Sequence, residues 1–183
     1  MIVLGVDPGS YTTGYAFLET GKSGPRVLEY GSIACRAKDP LEDRLVRIIL
    51  DLEKLLDTYR PEVLSMESAF FAKNVRSAMV LGHVRGAILV ACHRRGLDFA
   101  EYSPRSVKQA VTGNGAASKE MVARMVQTRL RLKEVKGPLD ASDALAIALT
   151  HLNPPAVRPP RSSKKNKNQA LKELVLRMGG TLP

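Results

Sequence analysis

Two hydrophobic rhythms alternate along the chain. Residues 2–6 form a short apolar run that stops at Asp7, inside the stretch LGVDPGSYTTG. Residues 14–19 (GYAFLE) alternate as a second strand, GKSGPR (21–26) reads as a turn, and residues 27–34 read as a third strand. The spacing is that of an antiparallel meander. Leu41, Leu45, Ile48, Leu52, Leu55 and Tyr59 then recur at helical spacing. Asp39 is placed to cap this helix, Pro40 suits its first position and Glu42 completes a box-like start. PEVLSMES (61–68) returns to period two, with Val63, Ser65 and Glu67 on one face and Leu64 and Met66 on the other. Asn74 is placed to cap a long helix ending at Gly96. Its apolar positions, among them Val75, Met79, Leu81, Val84 and Ile88, nearly encircle it, which predicts burial on more than one side. LDFAEYS (97–103) is a fifth strand, and Pro104 opens a short helix to Val111. TGNGAAS (112–118) is a loop whose Ser118 caps a helix to Leu132, KEVKGP is a second loop, and residues 139–152 are the last helix.

The order βββαβαβααα predicts an α/β fold: a five-stranded mixed sheet with helices on both faces. Right-handed crossovers make strands 1 and 4 parallel neighbours. The periodic pattern ends near residue 153. Residues 1–153 read as one domain, and 154–183, rich in Pro and Lys, as a basic, disordered tail. Within that tail QALKELVLRMG (169–179) reads as a weak amphipathic helix that forms on binding.

Composition narrows the class. A 183-residue chain that is 44% apolar buries a proper core without disulfides. Cys35 and Cys92 stand at no metal-ligand spacing and read as reduced thiols of a cytoplasmic protein. Residue 2 already enters a strand, which leaves no room for a signal peptide, and the longest apolar run, 86–92, is far short of a membrane span. Charge points to the partner. The net charge is +10, and from Asn153 onward there are seven basic residues and one acid. A basic tail on a mildly basic body favours a polyanion, nucleic acid before membrane.

The acids supply the chemistry. Asp7 and Glu67 end strands 1 and 4, which places them side by side at the carboxyl edge where open α/β sheets bind ligands. Asp140 and Asp143 share one face at the start of an apolar helix. Singly, each has a plain structural reading: turn former, strand end, helix cap, dipole partner. Four carboxylates packed together repel, so a fold that gathers them needs cations. Mg²⁺ or Mn²⁺ suits oxygen ligands, and four acids can hold two ions about 3.5–4 Å apart for phosphodiester hydrolysis. No Cys/His cluster competes for zinc. His83 and His93 are scattered, and His151 lies two turns beyond Asp143.

Four stretches carry a resemblance: LGVDPGSYTTGYA (4–16), MESAFFAKNVRSAMVLGHVRGA (66–87), YSPRSVKQAVTGNGAASKEMV (102–122) and DASDALAIALTH (140–151). In content and order they closely resemble the RuvC family of Holliday junction resolvases, which have the ribonuclease-H-like fold. The resemblance implies a homodimeric, Mg²⁺- or Mn²⁺-dependent endonuclease. Such an enzyme nicks two opposed strands of four-way junction DNA symmetrically, leaves 5′ phosphates, and works with the RuvA–RuvB branch-migration complex. It makes Asp7, Glu67, Asp140 and Asp143 the catalytic acids and metal ligands, and Lys108 and Lys119 basic residues of catalysis. It also makes Phe70 an aromatic that meets junction bases.

Elementary chemistry agrees with these roles. Lys108 and Lys119 flank the glycine-bearing loop, where an ammonium can neutralise charge developing on the scissile phosphate. Ser118 and the amides after it can bind phosphate at a helix N-terminus. Of the adjacent pair Phe70 and Phe71, Phe71 suits an anchoring role and Phe70 a wedge into an opened base step. Lys73, Arg76 and Arg85 are candidate phosphate contacts. A C₂ dimer matches a substrate with two equivalent strands, with helix 75–95 as the candidate interface. Two other classes stay open on the residues alone. Actin-like ATPases and sugar kinases share the opening D-x-G-[ST] motif but need a second domain. A non-catalytic junction binder leaves the four acids unexplained.

Overall fold

The structure, a computed structural model, describes residues 1–22, 24–68, 75–135 and 139–154. Its strands are β1 (Ile2–Asp7), β2 (Thr12–Gly21), β3 (Gly24–Ala34), β4 (Val63–Glu67) and β5 (Asp98–Tyr102). The helices are α1 (Leu41–Tyr59), α2 (Val75–Arg94), α3 (Pro104–Thr112), α4 (Lys119–Leu130) and α5 (Leu139–Leu152). They follow the predicted order. The strands line up as β3-β2-β1-β4-β5, with β1 antiparallel to β2 and parallel to β4, and β5 parallel to β4.

Period two divides the strands between two cores. Leu4, Val6, Phe17, Leu64 and Met66 face α1 and α2, where they meet Ile48, Leu52, Val84 and Ile88. Val3, Ala16 and Leu18 face the other way, into a cluster built with α3, α4 and α5. α5 is the most deeply set helix, with Ala141, Ser142 and every residue from Ala144 to Thr150 buried. Ser65, fully buried on β4, donates to the Ile147 carbonyl at 3.2 Å and ties that helix to the sheet.

Several local expectations change. β2 and β3 run into the predicted turn, reaching Gly21 and Gly24, and Arg26 pairs with Glu19 across them. Pro40, not Asp39, is the N-cap of α1; Asp39 pairs instead with Arg36 at 3.0 Å. Pro40 has no N–H to lose there, and its carbonyl accepts the Arg44 amide. Gly96 follows α2 as expected, at φ +81°, a conformation that glycine adopts without strain. The expected cap Asn74 lies outside the described residues, as do 136–138 and the tail from 155 onward.

α2 departs most from its pattern. One face is buried, through Val84, Ile88, Ala91 and Cys92, while Val75, Met79 and Val90 are exposed. It is also long and apolar enough to cross a membrane by length and composition, where the 86–92 run had implied no such helix. Its inner face is nonetheless built into the core of the sheet.

Candidate active site

Register brings the first two acids together. β1 and β4 pair Val6 with Met66, so one step further Asp7 comes level with Glu67. On β1, Val3 faces the α5 side and Leu4 and Val6 the other; on β4, Ser65 reaches α5 while Leu64 and Met66 do not. Alternation therefore turns Asp7 and Glu67 toward α5.

Two glycines then let α5 approach the backbone. A Cβ at Gly5 would lie 2.3 Å from the Ala144 carbonyl oxygen and 2.6 Å from the Ala148 nitrogen. A Cβ at Gly14, which pairs with Asp7 across β1 and β2, would lie 2.0 Å from the Asp140 carbonyl oxygen. The first turn of α5 thus rests on bare strand, and its acids arrive beside Asp7. Gly14 is thus a seat for α5, and the exit turn is made by Gly9, where a Cβ would meet the Thr12 carbonyl at 2.3 Å. Thr13, fully buried, closes that turn by donating to the Gly9 carbonyl at 2.7 Å.

The result is a cleft of about 460 Å³, lined by Asp7, Glu67 and Asp143, by Arg85 and Leu81 of α2, and by Lys108 and Lys119. Burial first, and then the charges of Asp143, Asp140 and Glu67, push the Asp7 carboxyl up to about 7. Glu67 is raised too, by burial and by Asp143, against the lowering influence of Lys119, Lys108 and Arg85. All four predicted acids and both predicted lysines therefore act in one electrostatic neighbourhood. Lys119, in the first turn of α4, stands 3.5 Å from Asp143. Ser118 caps that helix, accepting the Met121 amide at 3.2 Å.

A hard cation fits this donor set. The field around Asp7 disfavours its own ionisation, and a bound cation removes that penalty. Among the described residues no three His, Cys, Asp or Glu side chains form a ready-made metal cage. Mg²⁺ keeps several waters and takes one or two carboxylates, and Asp7, Glu67 and Asp143 line the cleft. His151 is used elsewhere, its Nδ1 3.0 Å from the Tyr102 hydroxyl.

The predicted DNA contacts divide. Arg85 lines the cleft, 14% exposed, but its guanidinium donates to the Glu67 carbonyl at 2.6 Å and pairs with Glu101, so it braces the ends of β4 and β5. Arg76 is exposed in the first turn of α2. Phe70 and Lys73, with Phe71, lie outside the described residues. Sequence reasoning missed Gly5 and Gly14 as seats for α5; glycines inside two apolar strands were the available signal.

Residues 3–151 match the model of the family described as "Crossover junction endodeoxyribonuclease RuvC". A protein of that name from Chloroherpeton thalassium is 49% identical over 149 residues, 81% of this chain and 80% of its own length. One from Brevibacillus brevis is 44% identical over 151 residues, 82% of this chain and 91% of its own. Among solved structures, "T. thermophilus RuvC in complex with Holliday junction substrate" superposes with a TM-score of 0.79 at 38% identity, covering 84% of this chain and 93% of that one.

Proposed function

This chain belongs to the RuvC family of crossover junction endodeoxyribonucleases, and on that premise we propose that its acidic cleft, lined by Asp7, Glu67 and Asp143 with Asp140 beside it, is the cutting site for four-way junction DNA. The family is a metal-dependent nuclease family, the fold is ribonuclease-H-like, and the reaction class is hydrolysis in DNA recombination and repair. The observation that carries the site assignment is Asp7. It ends a core strand with its carboxyl pushed up to about 7, first by burial and then by the charges of the other three acids.

In this reading Asp7, Glu67, Asp140 and Asp143 hold two Mg²⁺ or Mn²⁺ ions per site. When bound, the ions supply an activated water and a stabilised leaving 3′ oxygen. The remaining work belongs to the chain. Lys108 and Lys119 meet the scissile phosphate and offset its growing negative charge. Glu67 is held in place by Arg85 through its own carbonyl. Phe70, Lys73 and Arg76 are the proposed junction contacts.

Two sites in a C₂ dimer give paired symmetric nicks with 5′ phosphates. The outer face of α2 supports a dimer: Val75, Met79 and Val90 are 73%, 62% and 59% exposed, and a Cβ at Gly82 or Gly86 meets nothing within 4 Å. Leu81 is not on that face; it is half-buried and lines the cleft. Action alongside a RuvA–RuvB branch-migration complex follows from family membership alone.

The test is a nuclease assay on four-way, three-way and linear duplex DNA, with Mg²⁺, Mn²⁺ or chelator. Asp7→Asn should bind the four-way junction as the parent does and cut it at least 100-fold more slowly. Full cutting by that variant in Mg²⁺ would remove Asp7 from the metal site.

A further inference from the structure

Arg44 of α1 is only 8% exposed, yet among the described residues no carboxylate pairs with it. A guanidinium taken from water without a counter-charge is strongly unfavourable. What it touches therefore matters. Its Nη1 donates to the Ser10 carbonyl at 3.2 Å and to Ser10 Oγ at 3.0 Å. Its guanidinium carbon lies 4.3 Å from the centre of the Tyr11 ring, and its Nε has no acceptor. All these contacts go to two neighbouring residues in the turn that leaves Asp7. The same turn is tied again by the Cys35 amide, which donates to the Tyr11 carbonyl at 2.8 Å.

Tyr11 itself is 54% exposed and belongs to neither core cluster. Anchoring the fold does not explain such a ring, and a guanidinium stacked on it holds it still. Pro8 of the same turn lines the acidic cleft. Tyr11 precedes Thr12, which pairs with Ala34, so the ring stands on the β2–β3 side of Asp7. Lys108 and Lys119 line the cleft from α3 and α4, which pack with α5 on the face of the sheet away from α1.

We propose that Tyr11, held on Arg44, is a stacking platform for a nucleobase of the DNA strand whose phosphate occupies the acidic cleft. The platform rests on the nuclease reading above. It is sequence-tolerant, because every base presents a π face. Arg44 is a positioning residue: it lies beneath the ring and orients it, and the ring makes the contact. Its Nη1 is already engaged by Ser10.

The test uses the full chain in chelator, so that no strand is cut, and four-way junctions carrying 2-aminopurine at the nucleotides flanking the crossover. Anisotropy reads affinity and 2-aminopurine fluorescence reads stacking. The parent should bind the junction and quench the probe. Tyr11→Ala should lose on the order of tenfold in affinity together with the quench. Tyr11→Phe, which keeps the ring, should retain both. Arg44→Met should weaken the quench by freeing the ring. If Tyr11→Ala fails to fold, Tyr11→Leu takes its place, since it keeps apolar bulk without a π face. Parental affinity and quench in Tyr11→Ala or Tyr11→Leu overturn the platform, and so does equal loss in Tyr11→Phe, which would assign the effect to the hydroxyl. A parent that binds the junction no better than linear duplex overturns the nuclease reading instead, before any Tyr11 variant is compared.

Discussion

In the proposed site, Asp7 joins stability to cation binding. Its carboxyl is raised from 3.8 to about 7 in the folded chain, so the folded state favours the protonated form. A group raised in this way stabilises the fold fully below its unfolded pKa, and that contribution is lost as pH rises through about 7. In chelator the protein should therefore lose on the order of 2–4 kcal/mol between about pH 4 and pH 8 from this group. Asp7→Asn should remove that slope, and Mg²⁺ should restore stability to the parent at pH 8 but not to the variant. Urea midpoints at the two pH values, with and without Mg²⁺, check it; parallel curves for parent and variant would count against a strained Asp7. Lys119, beside Asp143, belongs to the same scale. Lys119→Met should slow cutting by about 100-fold while changing junction affinity little, a split that single-turnover and binding measurements resolve.

At the level of elements, the site depends on how closely α5 lies on β1 and β2. Gly14→Ala would place a methyl 2.0 Å from the Asp140 carbonyl oxygen. Neither backbone can give way cheaply, so the variant should lose about 2–4 kcal/mol of stability, and metal-dependent cutting should fall with it. Melting and cleavage measured on the same preparation test this; parental values in both would mean that α5 is free to shift. The predicted order of elements holds throughout, because period 2 and period 3.6 are local properties of these segments. The role of Gly5 and Gly14 is not local, because it is a contact between segments more than 120 residues apart. Asp39 differs for another reason: capping competes with an ion pair to Arg36 that only the folded loop makes available.

For the whole molecule, we propose that the outer face of α2 sets how many cutting sites meet one junction, and the basic segment 154–183 how tightly they bind. Met79→Glu puts a charge on the exposed stripe and should give monomers in sedimentation with the fold intact; persistent dimers would move the interface elsewhere. Removing residues 154–183 takes away most of the excess positive charge. The truncated chain should bind junctions more weakly and with a shallower dependence of log affinity on log salt, while its melting temperature stays unchanged. An unaltered salt slope would separate the tail from DNA binding.

Read along the chain, the residues themselves determined the element order, the parallel pairing of β1 with β4 and the four acids, because hydrophobic period, crossover handedness and charge are written locally. The encircling apolar pattern of α2 was equally legible, but it did not say which face the single chain would leave open. Only the tertiary structure decided that Asp7 and Glu67 both turn toward α5, that Gly5 and Gly14 admit that helix, and that Arg44 is buried beneath Tyr11. Each of these is a contact between distant segments, and its strength depends on separations that no local pattern encodes.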